Sequence, residues 1–326
     1  MSIDQELSTH KQALWDEAQA LLDSDLPEHD FKMLSNVLGE MRKGLQVFKP
    51  YQAWRKVSVF GSARTQEDHA QYQQAKACGK ALKDAGFMVI TGGGPGMMQA
   101  ANEGAGREVS FGIGINLPME QQLNPVVHES PRSFNCKYFF TRKFFFLRES
   151  DAVILTPGGF GTFDESFELL TLLQTGRNPP IPVIMLEAPG DDFWGPFLKS
   201  WVRRLLDDGL ISPDDMGLIY HTDNANDAVK HIEQYYTNYH SFRYVGNRVL
   251  LRMNNPLSEQ SLERLNAEFS NVLHKGSIEQ VFQWPENDEP QYAHYPRLRM
   301  QLNHGRMNIL PQLIQRMNAL YAQEHQ

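Results

Sequence analysis

The chain has 326 residues, 41% of them hydrophobic and 21% charged, a composition ordinary for a globular protein and large enough for one big domain or two. Its net charge of −8 argues against nucleic acid as a main partner, because affinity there comes mostly from Lys and Arg neutralising phosphates, and leaves room for a small anionic ligand held in a local positive pocket. Two cysteines, Cys78 and Cys136, make neither a disulfide framework nor a metal cluster and suit a reducing cytoplasm.

In chain order, residues 4–48 predict two helices. Leu7, Leu14, Ala18 and Leu21 form one stripe, and Phe31, Leu34, Leu38, Met41 and Leu45 another, with Pro27 at the break. The start of the chain is acidic with no apolar core, so no signal peptide is expected. No apolar run approaches the ~20 residues needed to cross a bilayer, so no membrane partner is expected and the protein is read as cytoplasmic. Ser8-Thr9-His10-Lys11 matches the pattern around a pyridoxal-phosphate lysine, but it precedes any sheet that could hold the cofactor and is read as chance.

From Lys56 strands and helices alternate. Val57–Phe60 predicts a strand ending in Gly61-Ser62-Ala63-Arg64, and 72–85 a helix. Strand 87–90 ends in Thr91-Gly92-Gly93-Gly94-Pro95-Gly96, followed by helix 97–105 and strand 111–115. After a polar connection come helix 137–149, strand 152–155, the loop Pro157-Gly158-Gly159-Phe160-Gly161-Thr162 and a helix over 163–175. Strand 183–186, helix 193–206 and strand 218–220 complete the series. This alternation predicts an α/β fold, a doubly wound parallel sheet of modified Rossmann type.

Beyond residue 240 the order strand 248–253, helix 259–273, strand 278–283, strand 297–302, helix 310–320 predicts a small α+β unit. The expected organisation is therefore a helical extension over 1–50, a Rossmann-like nucleotide-binding domain over 51–240 and a β-α-β-β-α domain over 241–326. The basic run His294, Arg297, Arg299, His304 and Arg306 could take an anionic effector, but is read as a solvated strand edge.

Three glycine-containing loops, 61–64, 92–96 and 157–162, each follow the carboxyl end of a strand, where doubly wound sheets place their ligands. Glycines let backbone N–H groups approach an anion, and a helix start adds its positive dipole end. Neither G-x-G-x-x-G nor G-x-x-x-x-G-K-[ST] occurs, so dinucleotide binding and a P-loop are both unsupported. Thr162-x-x-Glu165 also fits a capping box, which competes with a functional role for Glu165. No histidine falls in H-x-H or H-x-x-x-H spacing, so no metal site is expected.

Gly92-Gly93-Gly94-Pro95-Gly96-Met97-Met98 followed by Pro157-Gly158-Gly159-Phe160-Gly161-Thr162-Phe163-Asp164-Glu165 resembles the LONELY GUY family. These are phosphoribohydrolases of cytokinin riboside 5′-monophosphates and related nucleotides, once labelled lysine decarboxylase-like. The family's Arg-Lys pair on the preceding helix is matched by Arg142-Lys143, and the resemblance covers about residues 56–222. It implies hydrolysis of the N-glycosidic bond of a nucleoside 5′-monophosphate to free base and ribose 5-phosphate, without a cofactor. Glu165 and Arg142 would be the catalytic pair. Gly158, Gly159, Gly161 and Thr162 would hold the phosphate, and Gly93, Gly94 and Gly96 would line the sugar-phosphate side. Ser62 and Arg64 of the first loop join the nucleotide-binding set, and Lys143 and Asp164 are accessory candidates, Asp164 standing where many members carry Glu. The segments before residue 50 and after residue 240 resemble extensions of longer bacterial members, and a homodimer or higher homo-oligomer is the expected assembly.

Physically, cleaving a ribosyl C–N bond builds oxocarbenium character on the sugar, which a carboxylate near C1′ stabilises while it takes a proton from water. Arg142 cannot donate a proton at working pH and is expected to orient Glu165 or grip ribose and phosphate oxygens. On an apolar helix it should have a named partner. The competing readings are a phosphorylated-ligand carrier such as a molybdenum-cofactor binding protein, a pyridoxal-phosphate decarboxylase, and a single-stranded DNA binder.

Overall fold

The computed structural model describes residues 9–117, 122–282 and 290–325, and the elements below are those of the described residues. Residues 4–8 of the predicted first helix and Gln283 of a predicted strand lie outside them. The chain divides into two compact units, Met1–Lys43 and Gly44–Gln326.

In the first unit, α1 (Thr9–Leu22) buries no residue, and Leu14 and Trp15 stand open. Of the stripe that announces this helix, the described residues are not buried: Leu14 is exposed, and Ala18 and Leu21 are half-buried. α2 (Glu28–Phe48) begins in the first unit and ends in the second, where its Phe48 is buried.

The second unit is built on a parallel sheet of seven strands: β1 (Lys56–Phe60), β2 (Met88–Thr91), β3 (Ser110–Ile115), β4 (Ser133–Cys136), β5 (Ala152–Leu155), β6 (Val183–Leu186) and β7 (Ile219–Thr222). Their order is β4-β3-β2-β1-β5-β6-β7. Every residue of β1, β2, β5 and β6 is buried, as a parallel sheet covered on both faces requires, and apart from Lys56, Ser58 and Thr91 these strands are apolar. β4 falls inside the stretch read from sequence as a polar connection. It is an edge strand in which Phe134 and Cys136 turn inward and Ser133 and Asn135 do not, too polar and too short to stand out.

The crossovers are α3 (Ala70–Asp84), α4 (Met97–Ala105), α5 (Phe139–Glu149) and α6 (Phe160–Gln174). A broken helix follows, made of α7 (Trp194–Pro196), a π-helical stretch (Phe197–Val202) and α8 (Arg203–Asp207), and then α9 (Ala225–Tyr235). α3 and α4 touch backbone to backbone. A Cβ on Gly79 would overlap the Ala101 carbonyl oxygen, and one on Gly104 the Lys76 carbonyl oxygen.

The chain runs outward from β1 to β4, then returns to lay β5 on the other side of β1, so the switch in strand order falls between β1 and β5. A crevice outside the strand ends belongs there.

After α9 the chain forms a four-stranded antiparallel sheet, β10-β11-β9-β8, from β8 (Tyr239–Val245), β9 (Arg248–Met253), β10 (Glu279–Val281) and β11 (Arg297–Met300). α10 (Glu259–Phe269) and α11 (Leu310–Glu324) pack with it over a core that includes Leu251, Leu265, Leu298, Leu313 and Met317. β8, which the sequence reading omits, carries His, Ser, Arg and Tyr between its apolar ends and pairs with β9 through a two-residue turn. The reading of 294–306 as a solvated edge is overturned. β11 is an interior strand, and Arg297 is fully buried, donating from Nη2 to the Tyr292 carbonyl at 2.8 Å. Arg299 pairs with Glu279 across the strands, and Arg306 with Asp214 at 2.6 Å.

Gly104→Ala is expected to force α3 and α4 apart and destabilise the fold by about 1–3 kcal/mol, the usual cost of overpacking, read as a lower midpoint of urea unfolding. Gly190→Ala serves as the matched comparison. A Cβ there meets nothing, so only the strain of a positive φ of 82° is added.

Candidate active site

The three glycine-containing loops do converge, and the joints between them are backbone hydrogen bonds. Ser62 N–H donates to the Pro157 carbonyl at 3.0 Å, and Met97 N–H donates to the Ser62 carbonyl at 2.9 Å. One residue at the tip of β1 thus ties the loop after β5 to the loop after β2. Both joints need missing side chains. Gly96, at φ 67°, has Ser62 O where its Cβ would be, and Gly158 faces the Thr162 side chain and Ser62 N.

Behind the second loop lies a buried polar cluster. Asn124 N–H donates to Gly93 O at 2.7 Å, and its Nδ2 donates to Gly94 O at 3.1 Å and to Asn102 Oδ1 at 3.0 Å. Thr91 Oγ1 donates to the same Asn102 oxygen at 2.7 Å and accepts from Gly93 N–H at 3.0 Å. This cluster fixes the triple-glycine turn. Asn102 and Asn124 carry no motif in the sequence, and only their burial reveals them.

The loops enclose a cleft of about 690 Å³ lined by Ser62, Arg64, Gly92, Arg142, Gly159, Gly161, Thr162, Asp164 and Glu165, with Phe139, Phe146 and Phe160 among the apolar walls. Of the residues named from sequence, Gly93, Gly94, Gly96, Gly158 and Lys143 are not on that lining. The first four stand behind it in the turns and joints just described. Arg64 is exposed on the lining, its backbone N–H donating to Ser62 Oγ at 3.1 Å.

The helix after the third loop starts earlier than its periodicity predicts. α6 begins at Phe160 with Gly159 as N-cap and no side-chain cap, so the capping box expected at Thr162-x-x-Glu165 does not form. Both residues lie one turn inside the helix on its buried stripe of Thr162, Glu165, Ser166, Leu169 and Leu173. The apolar positions that announce the helix, Phe163 and Phe167, lie off that stripe and pack on Trp194, Phe197 and Trp201 instead. The first N–H groups of α6, which have no intrahelical partner, sit on the cleft lining at Phe160 and Gly161.

Glu165 is 8% exposed, and its Oε2 is buried without a hydrogen-bond partner. Burial pushes its carboxyl up to about 7, against the opposing pull of Lys143 and Arg142. Arg142 donates from Nε to the Ile113 carbonyl at 2.8 Å and from Nη2 to the Gly92 carbonyl at 3.2 Å. The guanidinium occupies the very place a Cβ on Gly92 would take, and it also lies 5.1 Å from the Phe146 ring centroid. The partner expected for this arginine is therefore a pair of backbone carbonyls, one just past the end of β2 and one within β3. Burial draws its pKa below the ordinary arginine value while the Glu165 charge raises it.

Lys143 bridges Asp164 at 2.7 Å and Glu168 at 2.8 Å, joining α5 to α6. Burial lowers the Lys143 ammonium, and its hydrogen bonds to Asp164 and Glu168 more than offset that and leave it above its usual value. Asp164 is thereby already engaged. Among the described residues, no group of three or more His, Cys, Asp or Glu side chains is arranged to hold a metal ion.

Chemically, the cleft offers an uncompensated carboxyl, a fixed cation that is not neutralised by it, and the start of a helix for an anion. The family described as "Possible lysine decarboxylase" matches residues 98–232. The chain is 30% identical over 166 residues to the cytokinin riboside 5′-monophosphate phosphoribohydrolase of Mycobacterium tuberculosis, a match covering 50% of this chain and 86% of that protein. It is 32% identical over 193 residues to the cytokinin riboside 5′-monophosphate phosphoribohydrolase LOG of Oryza sativa subsp. japonica, covering 57% and 76%. Among solved structures, the molybdenum cofactor carrier protein of Chlamydomonas reinhardtii superposes with a TM-score of 0.38 at 20% identity, covering 56% of this chain and 97% of that one. With the glycine turns, the arginine and the glutamate all found on one cleft, and with identity at this level over most of both phosphoribohydrolases, the chain belongs to the LONELY GUY family.

Proposed function

We propose that this protein hydrolyses the N-glycosidic bond of nucleoside 5′-monophosphates, of the AMP or cytokinin riboside monophosphate type, releasing free base and ribose 5-phosphate. The observation that carries the reading is the buried Glu165 carboxyl, without a partner on Oε2 and raised to about 7, on the same cleft as Arg142 and the start of α6. A buried carboxyl oxygen without a partner, on the lining of a cleft, is a candidate for chemistry. Relatives of this chain are named phosphoribohydrolases, which supports N-glycosyl hydrolysis as the reaction class.

In this reading the 5′-phosphate sits on the N–H groups of Phe160 and Gly161 at the positive end of α6, with Arg64 at the rim. The ribose then lies over Glu165. As the C1′–N bond breaks and its electrons leave with the base, positive charge grows on the ring, and the ionised carboxylate stabilises it. The same carboxylate takes a proton from the attacking water as the C1′–O bond forms, and can return it to the departing base nitrogen. Arg142 takes no part in proton transfer. Held on two carbonyls, it faces hydroxyl or phosphate oxygens with its remaining N–H groups. Asp164, paired with Lys143, is excluded from the proton relay. The apparatus lies within residues 51–240, and the division into a helical extension (1–50), this catalytic domain and a small α+β domain (241–326) is part of the same proposal.

Purified protein incubated with AMP is expected to release ribose 5-phosphate. Glu165→Gln should lower kcat by at least about a hundredfold while AMP still binds, as judged by calorimetry. Binding without release by the native protein would favour a carrier instead.

Because the carboxylate form is the active one, kcat should rise with pH, pass half its maximum near about pH 7 and level off roughly a unit above that. The same shift has a stability signature of defined sign. The folded pKa lies above the ordinary glutamate value of 4.5, so the folded state holds a proton that the unfolded state has lost, and stability falls as pH rises between them. Gln carries no such liability. Glu165→Gln should therefore gain stability over the native protein as pH rises from 5 to 8, by at most about 3 kcal/mol from the shift of ~1.4 kcal/mol per unit, measured by urea titration at both ends.

Gly92→Ala is expected to push the guanidinium off the Gly92 carbonyl and cut kcat/KM by about tenfold or more with near-native circular dichroism, since the new methyl group meets the Arg142 side chain first.

A further inference from the structure

Phe160 is 95% exposed, an unusual place for a ring that gains nothing there from burial. It is the first residue of α6 and lies on the cleft lining between Gly159 and Gly161, neither of which has any atom where a Cβ would be. Also on the lining, Phe139 is the first residue of α5 and is 57% exposed. It stands three residues before Arg142 and so shares its helix face. The third of these rings, Phe146, is already committed, packed edge-on against Phe60 at 4.9 Å and close to the Arg142 guanidinium. Two aromatic faces on the cleft thus stand largely open, one on each of the helices that carry Arg142 and Glu165. Lys143 clamps those two helices together through Asp164 and Glu168, which fixes the spacing of the rings.

We propose that Phe160, with Phe139 on the same lining, is the seat of the nucleobase. The inference rests on the nucleotide reading of this cleft and assigns to it the residues that receive the base. The phosphate end of the ligand goes to N–H groups and the ribose to Glu165, which leaves the flat, apolar faces of the base as the part without a place. An aromatic ring takes any base by its π-face, needs no hydrogen-bond code, and favours the larger purine surface over a pyrimidine. Phe160 acts here as a positioning residue. By holding the base it fixes the angle at which C1′ meets the carboxylate.

The test uses the full-length chain with Glu165→Gln, so that ligands bind without turnover, and titrates AMP, CMP and ribose 5-phosphate by calorimetry. AMP is expected to bind more tightly than CMP, and both more tightly than ribose 5-phosphate. Adding Phe160→Ala should weaken AMP about tenfold or more, the range that one stacked base supplies, and leave ribose 5-phosphate unchanged. Phe160→Trp should restore AMP binding, and Phe139→Ala should act in the same direction as Phe160→Ala. Equal weakening of AMP and ribose 5-phosphate would make Phe160 a support for the phosphate turn and overturn the proposal. It is overturned equally by unchanged AMP binding, by AMP binding no tighter than ribose 5-phosphate before the ring is removed, or by a loss that follows a change in sedimentation, which would assign the ring to a contact between copies. Ribose 5-phosphate release by the native protein is read separately. The base seat can therefore stand where hydrolysis fails, and hydrolysis can stand where the seat fails.

Discussion

The site depends on how Arg142 is held. A guanidinium in a largely buried position needs acceptors, and a neighbouring carboxylate is the common answer. Here the acceptors are the carbonyls of Gly92, just past the end of β2, and of Ile113, within the adjacent β3. The charge is kept in place without being cancelled, and the glutamate on the facing helix keeps its own carboxyl free. Had the two formed a close bidentate pair, each would have satisfied the other and the cleft would present a neutral surface. Satisfying the cation with backbone leaves two opposite charges available to a ligand. It also explains why burial, rather than a paired cation, governs the Glu165 titration.

That arrangement in turn depends on glycine. Gly92 has no Cβ because the guanidinium fills the space, Gly96 because Ser62 O fills it, and Gly158 because Thr162 and Ser62 do. The roles of the motif therefore divide. Gly159 and Gly161 are open on the lining, where an anion can approach the chain. Gly96 and Gly158 let three loops lock to each other through Ser62. Gly93 and Gly94 hand their carbonyls to Asn124. A short glycine motif carries both recognition and joinery, and the sequence does not say which glycine does which.

The fold was legible where burial is complete. β1, β2, β5 and β6 are covered on both faces and so are mostly apolar, and the turns after three of the strands carry glycine. The strands passed over, β4 and β8, are those with one face or one edge less protected, where polar residues alternate and leave no run to detect. Arg297 fails in the opposite sense. A basic stretch reads as solvated by composition, and only the antiparallel partners of β11 and the carbonyls around the guanidinium put it inside. At the site, Arg142 and Glu165 were singled out through the motifs that carry the family resemblance, whereas Asn102, Asn124 and the carbonyls that receive Arg142 had no linear signature at all.

The face of α6 makes the same point with a consequence for chemistry. Helical periodicity in Phe163 and Phe167 announces the helix but marks its outer side, where the rings pack on Trp194, Phe197 and Trp201. The side turned to the interior carries Thr162, Glu165 and Ser166, a polar start to a stripe that turns apolar only at Leu169 and Leu173. A helix selected only for packing would reverse this assignment, with rings inward and the carboxylate outward. The inversion costs burial energy at the helix start, and an unpartnered carboxyl raised to about 7 is what that cost leaves behind. Local propensity and global fold disagree over these few residues, and such disagreement is expected where a site has been built at the expense of the core.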